Sequence, residues 1–297
     1  IISEICEKWL NHTPDEFPYR QEVAEIAVLS AEYIFNFKHQ NDKGYVRDEI
    51  DFKCYKSMML AYKILPGEIE DLALKLSGIK EKYPNSEPDE KVIVTAPRSK
   101  SFSALNRRKK DPAPWPNGPH YTVDREFRKV CLKDSATLIP LIQINPVLAG
   151  KIILALLIEE PTEWEPYDDD YFRNESLQIS NEQGAFYPPF YFKGPFLNFL
   201  KIHPEEALSM IIKLVDFTTD RWRIIRHWDA VPSTKLYFPE ERIYEGDSKV
   251  FYWHSDCPWC PDAVVSAVMA VEKWLYDLLD KDKEISNWIT YIFHNSL

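Results

Sequence analysis

The sequence predicts an all-α fold, arranged as an irregular α-solenoid of helical hairpins with long loop insertions. The first indication is that eight of the 297 residues are glycine, well below the usual frequency of roughly 7%. Glycine destabilises a helix interior by about 1 kcal/mol relative to alanine, so its scarcity fits a mostly helical chain. The second indication is a helix, proline, helix pattern that occurs three times, because stacked copies cover the apolar stripes that a single hairpin leaves exposed.

The three copies align on Pro66, Pro146 and Pro204. With these prolines in register, apolar residues coincide on both sides of the proline. In the second copy they are Leu138, Ile139, Leu141, Ile142, Ile144, Ala149, Ile152, Ile153, Leu154, Leu156 and Leu157, which match Phe196, Leu197, Phe199, Leu200, Ile202, Ala207, Met210, Ile211, Ile212, Leu214 and Val215 in the third. The first copy matches through Met58, Met59, Ile64, Ile69, Leu72, Ala73, Leu74 and Leu76.

Each copy is predicted to be a helix, a tight turn and a second helix that begins at the proline. Proline is favoured at the first helical position because its missing N–H would be unpaired there, and its ring stops the preceding helix. Asn145 is a suitable N-cap for the helix after Pro146. The prolines lie 80 and 58 residues apart, whereas repeats of the HEAT and TPR kind recur every 34 to 47 residues or so. Long insertions are therefore expected between HEAT-like or TPR-like hairpins.

The chain is expected to divide at these insertions. Its segments are N-terminal helices with the first hairpin (1–81), a proline-rich basic insertion (82–120), two matching hairpins (121–230) around an acidic and aromatic insertion (160–194), an aromatic insertion (231–260), and a C-terminal helical pair (261–297). The N-terminal helices are predicted at Ser3–Leu10 and Gln21–Phe37. In the insertion 231–260, a turn at Glu245–Ser248 between aromatic runs predicts a small β-hairpin.

Composition excludes several classes of protein. The 36 Lys and Arg residues against 47 Asp and Glu give a net charge of −11, which disfavours general nucleic-acid binding. The longest apolar runs, such as Ile152–Ile158, are far shorter than the roughly 20 residues of a membrane span. Five cysteines in 297 residues indicate a reducing compartment, so we expect a cytoplasmic protein. Because the chain begins with Ile1 in an apparent helix, we expect it to be part of a longer polypeptide.

No enzyme signature is present in the sequence. The eight glycines form neither GxGxxG nor GxxxxGK, so no nucleotide-binding loop is expected. GxSxG and HExxH are also missing, and the seven histidines show no paired spacing. The sequence therefore predicts a protein without a catalytic site.

The sharpest local motif is the pair Cys257 and Cys260, in the sequence Cys-Pro-Trp-Cys. A cysteine just before a helix can have a lowered thiol pKa, which suits thiol redox chemistry. Together with His254, the two cysteines also supply three tetrahedral ligands for zinc, with a fourth to be found elsewhere in the fold. The third interpretation is that both cysteines pack beneath neighbouring tryptophans without binding a metal.

Two further segments are candidate binding sites. The segment Arg98–Lys110 contains six basic residues and no acid, so Arg107, Arg108, Lys109 and Lys110 are candidates for contact with nucleic acid or phosphate; a solvated loop is the favoured alternative. The second segment is aromatic, and Tyr187, Phe190, Tyr191 and Phe192 supply the kind of side chain that anchors protein partners. This segment could equally fold back over the helical core.

Two apolar helical segments, Gly194–Leu208 and Pro261–Tyr276, resemble segments that follow the nucleotide-binding module in large bacterial STAND-type ATPases, some of which serve in antiviral defence. The resemblance covers the C-terminal half of the chain. It implies a helical sensor or scaffold region, with any ATPase activity outside this chain because Walker A and Walker B sequences are missing from it. The sequence thus predicts a non-catalytic helical-repeat module that binds another protein or another domain of its own polypeptide.

Overall fold

The computed structural model describes residues 2–12, 18–40, 48–79, 123–158, 179, 185–225, 233–237, 241–245, 261–279 and 285–295. These residues form eleven α-helices and one pair of antiparallel strands. The predicted all-α class is confirmed, and the solenoid arrangement stays a prediction. None of the described helices is long and apolar enough to cross a lipid bilayer.

The helices are numbered here along the chain. They are α1 (Ile2–His12), α2 (Arg20–Gln40), α3 (Asp48–Leu60), α4 (Pro66–Leu76), α5 (Arg125–Lys133), α6 (Ile139–Ile144), α7 (Pro146–Leu157), α8 (Phe196–Ile202), α9 (Pro204–Ile225), α10 (Asp262–Leu279) and α11 (Ile285–Asn295). A 3-10 turn, Ala61–Lys63, follows α3 directly. The strands are β1 (Ser233–Tyr237) and β2 (Glu241–Glu245).

In all three predicted copies, the second helix begins at the aligned proline. The residue before that proline has nearly the same conformation each time, with φ and ψ of −128° and 62° at Leu65, −137° and 73° at Asn145, and −137° and 81° at His203. Proline excludes the helical conformation from the residue that precedes it, which explains the break. One local rule therefore separates the helices of all three hairpins.

The same junction residue also completes the hydrogen bonding of both helices. The N–H of Asn145 donates to the Leu141 carbonyl at 2.8 Å, and its carbonyl accepts from the Ala149 N–H at 3.0 Å. The His203 N–H and carbonyl make the equivalent bonds at 2.8 and 3.0 Å, and those of Leu65 do so at 3.2 and 3.4 Å. The three copies are thus equivalent in their backbone hydrogen bonds as well as in their apolar pattern.

Successive hairpins contact one another in chain order. Among the first helices, the 3-10 turn after α3 contacts α6, α6 contacts α8, and α8 contacts α10. Among the second helices, α7 contacts α9, and α9 contacts α11. A Cβ added at Gly150 on α7 would lie 3.6 Å from the Met210 Cβ on α9, so the two helices approach closely there. The matched positions of the repeats mostly form this shared core, although Ile144 is 50% exposed.

The N-terminal helices form a second packed group. Helices α1, α2 and α3 contact one another, and α5 packs against α3. The predicted helices Ser3–Leu10 and Gln21–Phe37 correspond to α1 and α2, both slightly longer than expected. The sequence analysis missed α5, although Asp124 before an apolar periodic run is an ordinary helix-start signal.

A small antiparallel pair of strands, β1 and β2, lies in the insertion 231–260. In this pair, Ser233 lies opposite Glu245 and Tyr237 lies opposite Glu241. Glu245 is therefore the last residue of a strand. The rest of the predicted turn, residues 246–248, lies outside the described residues, so the turn stays a prediction.

Candidate interaction surface

The aromatic segment between α7 and α8 is fixed at its C-terminal end by a required glycine. Phe186 and Phe196 are both buried, with ring centroids 5.9 Å apart. Gly194 lies between them in the sequence with a φ of +67°, a region that other residues rarely adopt. A Cβ there would lie 2.5 Å from Cε1 of Phe186. Both the conformation and the available space therefore exclude a side chain at this position.

The middle of the segment is attached to α10. The Phe190 N–H donates a hydrogen bond of 3.3 Å to Oγ of Ser266, which is fully buried on α10. The Lys193 N–H donates to the Phe190 carbonyl at 2.9 Å and closes a turn. Tyr191 is partly buried against the hydrophobic core. One backbone hydrogen bond to α10, a turn within the segment and the packing of Tyr191 on the core therefore hold this segment in place.

Four aromatic residues of the segment, Tyr187, Phe190, Tyr191 and Phe192, are called the aromatic cluster below. Tyr187, Phe190 and Phe192 are 68%, 43% and 56% exposed. The Phe190 and Phe192 rings are stacked, with centroids 5.1 Å apart and planes 26° apart. The Tyr191 ring meets both edge-on, at 6.1 Å from Phe190 and 5.4 Å from Phe192. These contacts order the Phe190 and Phe192 rings.

The sequence left two interpretations of this segment, packing on the helical core and binding a partner, and different residues are suited to each. Phe186 and Tyr191 fold back onto the core, whereas Tyr187, Phe190 and Phe192 present apolar rings at the surface. Aromatic side chains carry large apolar area with few rotatable bonds, so rings that are already ordered lose little entropy when a partner covers them. The arrangement is suited to binding a protein, and the partner-binding role of the cluster stays a prediction.

The other predicted site residues lie outside the described residues. These are the candidate zinc or redox residues Cys257, Cys260 and His254, and the candidate phosphate-binding residues Arg107, Arg108, Lys109 and Lys110. Among the residues that the structure describes, no group of three or more His, Cys, Asp or Glu side chains is placed to hold a metal ion. Both sites therefore stay predictions.

Three cysteines in the described part of the chain, Cys6, Cys54 and Cys131, are free and buried. Burial raises the pKa of each thiol above its ordinary value. Because the thiolate is the reactive form, these cysteines are poor nucleophiles and poor metal ligands at neutral pH. They behave as small core residues.

A partly buried polar network that sequence analysis missed joins α2, α3 and α5. The Lys38 ammonium lies 2.6 Å from a carboxylate oxygen of Asp51 and 2.9 Å from one of Asp124. The Tyr55 hydroxyl donates to the same Asp124 oxygen at 3.2 Å, and Lys38 lies 5.5 Å from the centre of the Tyr55 ring. The other Asp124 oxygen caps α5 by accepting from the N–H groups of Glu126 and Phe127.

The charges in this network depend on one another. Burial lowers the pKa of Lys38, but hydrogen bonds and charge from Asp51 and Asp124 outweigh that effect and hold the pKa above its ordinary value. Burial and the same two carboxylates raise the pKa of Tyr55, which therefore remains a neutral hydrogen-bond donor. Asp51 is 1% exposed, and its Oδ1 has no hydrogen-bond partner. The network ties α2, α3 and the start of α5 together.

Comparison of the sequence with models of protein families found no match, and comparison with curated protein sequences found none either.

Proposed function

We propose that this chain is a non-catalytic helical-repeat module, an irregular solenoid that binds another protein through the aromatic cluster. The observation that carries the proposal is the set of three exposed aromatic rings on a segment whose backbone is held in place. Interaction hot spots are enriched in such residues, and a pre-ordered surface binds at lower entropic cost. The absence of an enzyme signature in the sequence agrees with a binding role.

The resemblance of the two C-terminal segments to STAND-type proteins suggests the setting of this module. We propose that it serves as the sensor or scaffold region of a larger cytoplasmic polypeptide of that kind, with ATP hydrolysis in another region. The aromatic cluster would then contact either the sensed protein or another domain of the same polypeptide. The complete open reading frame tests this setting, since a P-loop elsewhere in it would support the proposal and a full frame without one would contradict it.

Site-specific crosslinking identifies the partner. A photoreactive amino acid placed at Tyr187, which is 68% exposed, should crosslink to one protein, which is then purified for titration against the chain. The double variant Phe190→Ser/Phe192→Ser should weaken that binding at least tenfold. The control is Ile144→Ser/Val147→Ser, which removes two apolar side chains that are 50% and 59% exposed elsewhere. Equal affinity of the two double variants would refute the role of the aromatic cluster.

A further inference from the structure

Helix α2 has two apolar faces, and one of them is exposed. Its buried face is formed by Ala24, Ala27, Val28, Ala31 and Ile34. Ile26, Leu29 and Tyr33 are 45%, 62% and 68% exposed. At 100° per residue, these three side chains point away from the buried face, and their spacing of three and four residues aligns them in one stripe.

The stripe continues for one further turn to Phe37, which is half-buried. The rings of Tyr33 and Phe37 are stacked, with centroids 6.2 Å apart. From Ile26 to Phe37 the stripe is about 16 Å long at 1.5 Å per residue. These four residues are called the α2 stripe below. Its length and spacing match those of the apolar face that one helix presents to another.

The helix that carries the stripe is held firmly on the fold. Helix α2 packs against α1, α3 and α4 through its other face. Near its C-terminal end, the ion pairs of Lys38 with Asp51 and Asp124 tie it to α3 and to the start of α5. The α2 stripe is therefore a pre-formed surface, and covering it requires no rearrangement of the helix.

The acidic side chains beside the stripe favour a partner with basic side chains. Glu22, Glu25 and Glu32 are exposed on α2, Glu22 at the N-terminal end of the stripe and the other two along one side of it. The Lys38 ammonium turns away from the stripe to pair with two carboxylates. If two copies met through this face, their glutamates would be brought together, which disfavours self-association. A helix with lysine or arginine beside its apolar stripe is complementary in both shape and charge.

We propose that the α2 stripe docks an amphipathic helix of a partner protein whose apolar stripe is flanked by basic residues. This surface is separate from the aromatic cluster, which is attached to α10, so the two proposals succeed or fail independently. The apolar residues of the partner helix, spaced three and four residues apart, pack along Ile26, Leu29, Tyr33 and Phe37. Its lysines or arginines pair with Glu25 and Glu32.

The test uses the full chain and two designed helical peptides of equal length with the same leucine stripe, one with lysine flanks and one with glutamate flanks. Fluorescence anisotropy should show at least tenfold tighter binding of the lysine-flanked peptide. Leu29→Glu should weaken that binding at least tenfold, and Tyr33→Ser should weaken it about threefold. Ile144→Glu, at another exposed apolar position, should leave it unchanged.

A charge exchange separates local recognition from general attraction to an acidic chain. Glu25→Lys/Glu32→Lys should reverse the preference toward the glutamate-flanked peptide, whereas Glu68→Lys/Glu272→Lys, which changes the total charge equally at exposed sites on α4 and α10, should not. Equal weakening by the two charge exchanges would overturn the proposal. So would concentration-dependent dimerisation of the chain that Leu29→Glu and Tyr33→Ser abolish, since the occupant would then be a second copy.

Discussion

Substitutions at Asp124 test how the N-terminal helices are joined, because its two carboxylate oxygens accept hydrogen bonds from different parts of the fold. Oδ1 accepts hydrogen bonds of 2.9 and 3.1 Å from the N–H groups of Glu126 and Phe127 at the start of α5. Oδ2 accepts from Lys38 and Tyr55. Replacing this residue with alanine removes both functions, whereas replacing it with asparagine preserves the cap and removes the charge.

The expected magnitudes follow from these contacts. Loss of an N-cap costs about 1 kcal/mol. Leaving the Tyr55 hydroxyl without its acceptor and Lys38 with Asp51 alone costs a further 1 to 3 kcal/mol or so. Asp124→Ala should therefore lower the free energy of unfolding by about 3 kcal/mol. Asp124→Asn should lower it by about 2 kcal/mol, because asparagine keeps the cap but places an amide NH2 where Oδ2 accepted from Lys38 and Tyr55.

Urea denaturation at pH 7, followed by far-UV circular dichroism, measures both values. Glu272→Ala serves as the control, because this exposed residue on α10 should change the free energy of unfolding by less than about 0.5 kcal/mol. The interpretation fails if Asp124→Ala behaves like the control. It also fails if the asparagine variant is as unstable as the alanine variant, since the cap would then contribute nothing.

Three further predictions concern the junctions, the glycine turn and pH. Asn145→Ala should lower the free energy of unfolding by about 2 kcal/mol in urea denaturation, because Asn145 both caps α7 and donates to Glu70 at 3.0 Å. A decrease below about 0.5 kcal/mol would contradict this. Gly194→Ala should lower the thermal unfolding midpoint and reduce the near-UV circular dichroism of the aromatic cluster, because the new Cβ would clash with the Phe186 ring. An unchanged near-UV spectrum would refute this prediction. The free energy of unfolding should be unaffected by Cys131 below about pH 8.5 and should decrease as pH rises further, because the raised pKa of Cys131 keeps the folded thiol protonated where the unfolded thiol ionises. Urea titrations at pH 7 and 9.5 check the sign of this change. Cys131→Ala should reduce the difference between the two pH values.

The features that sequence analysis predicted correctly depend on local rules. Pro66, Pro146 and Pro204 break the chain at the same backbone conformation because proline restricts its neighbour wherever it occurs. Apolar spacing around each proline then determines which side of each helix is buried. A local rule gives the same result each time it is applied, which is why the pattern was visible as a repeat.

The missed features depend on contacts between distant residues. Lys38 and Asp124 are separated by 86 positions in the sequence, and no spacing rule pairs a lysine with an aspartate at that distance. Each charged residue taken alone is typical of a solvated surface. The network becomes visible only after α2, α3 and α5 have been packed together.

The α2 stripe is a second feature that the sequence alone does not predict. Periodicity predicts that a helix is amphipathic, but α2 has apolar residues on two faces, and their spacing alone does not decide which face the fold covers. Alanines at 24, 27 and 31 allow close packing against neighbouring helices, whereas Leu29 and Tyr33 are larger and lie outside. Small residues mark the face that packs tightly within the fold, and the larger exposed residues supply most of the area that a partner helix would bury. Variants at Leu29 should therefore affect partner binding far more than the stability of the chain.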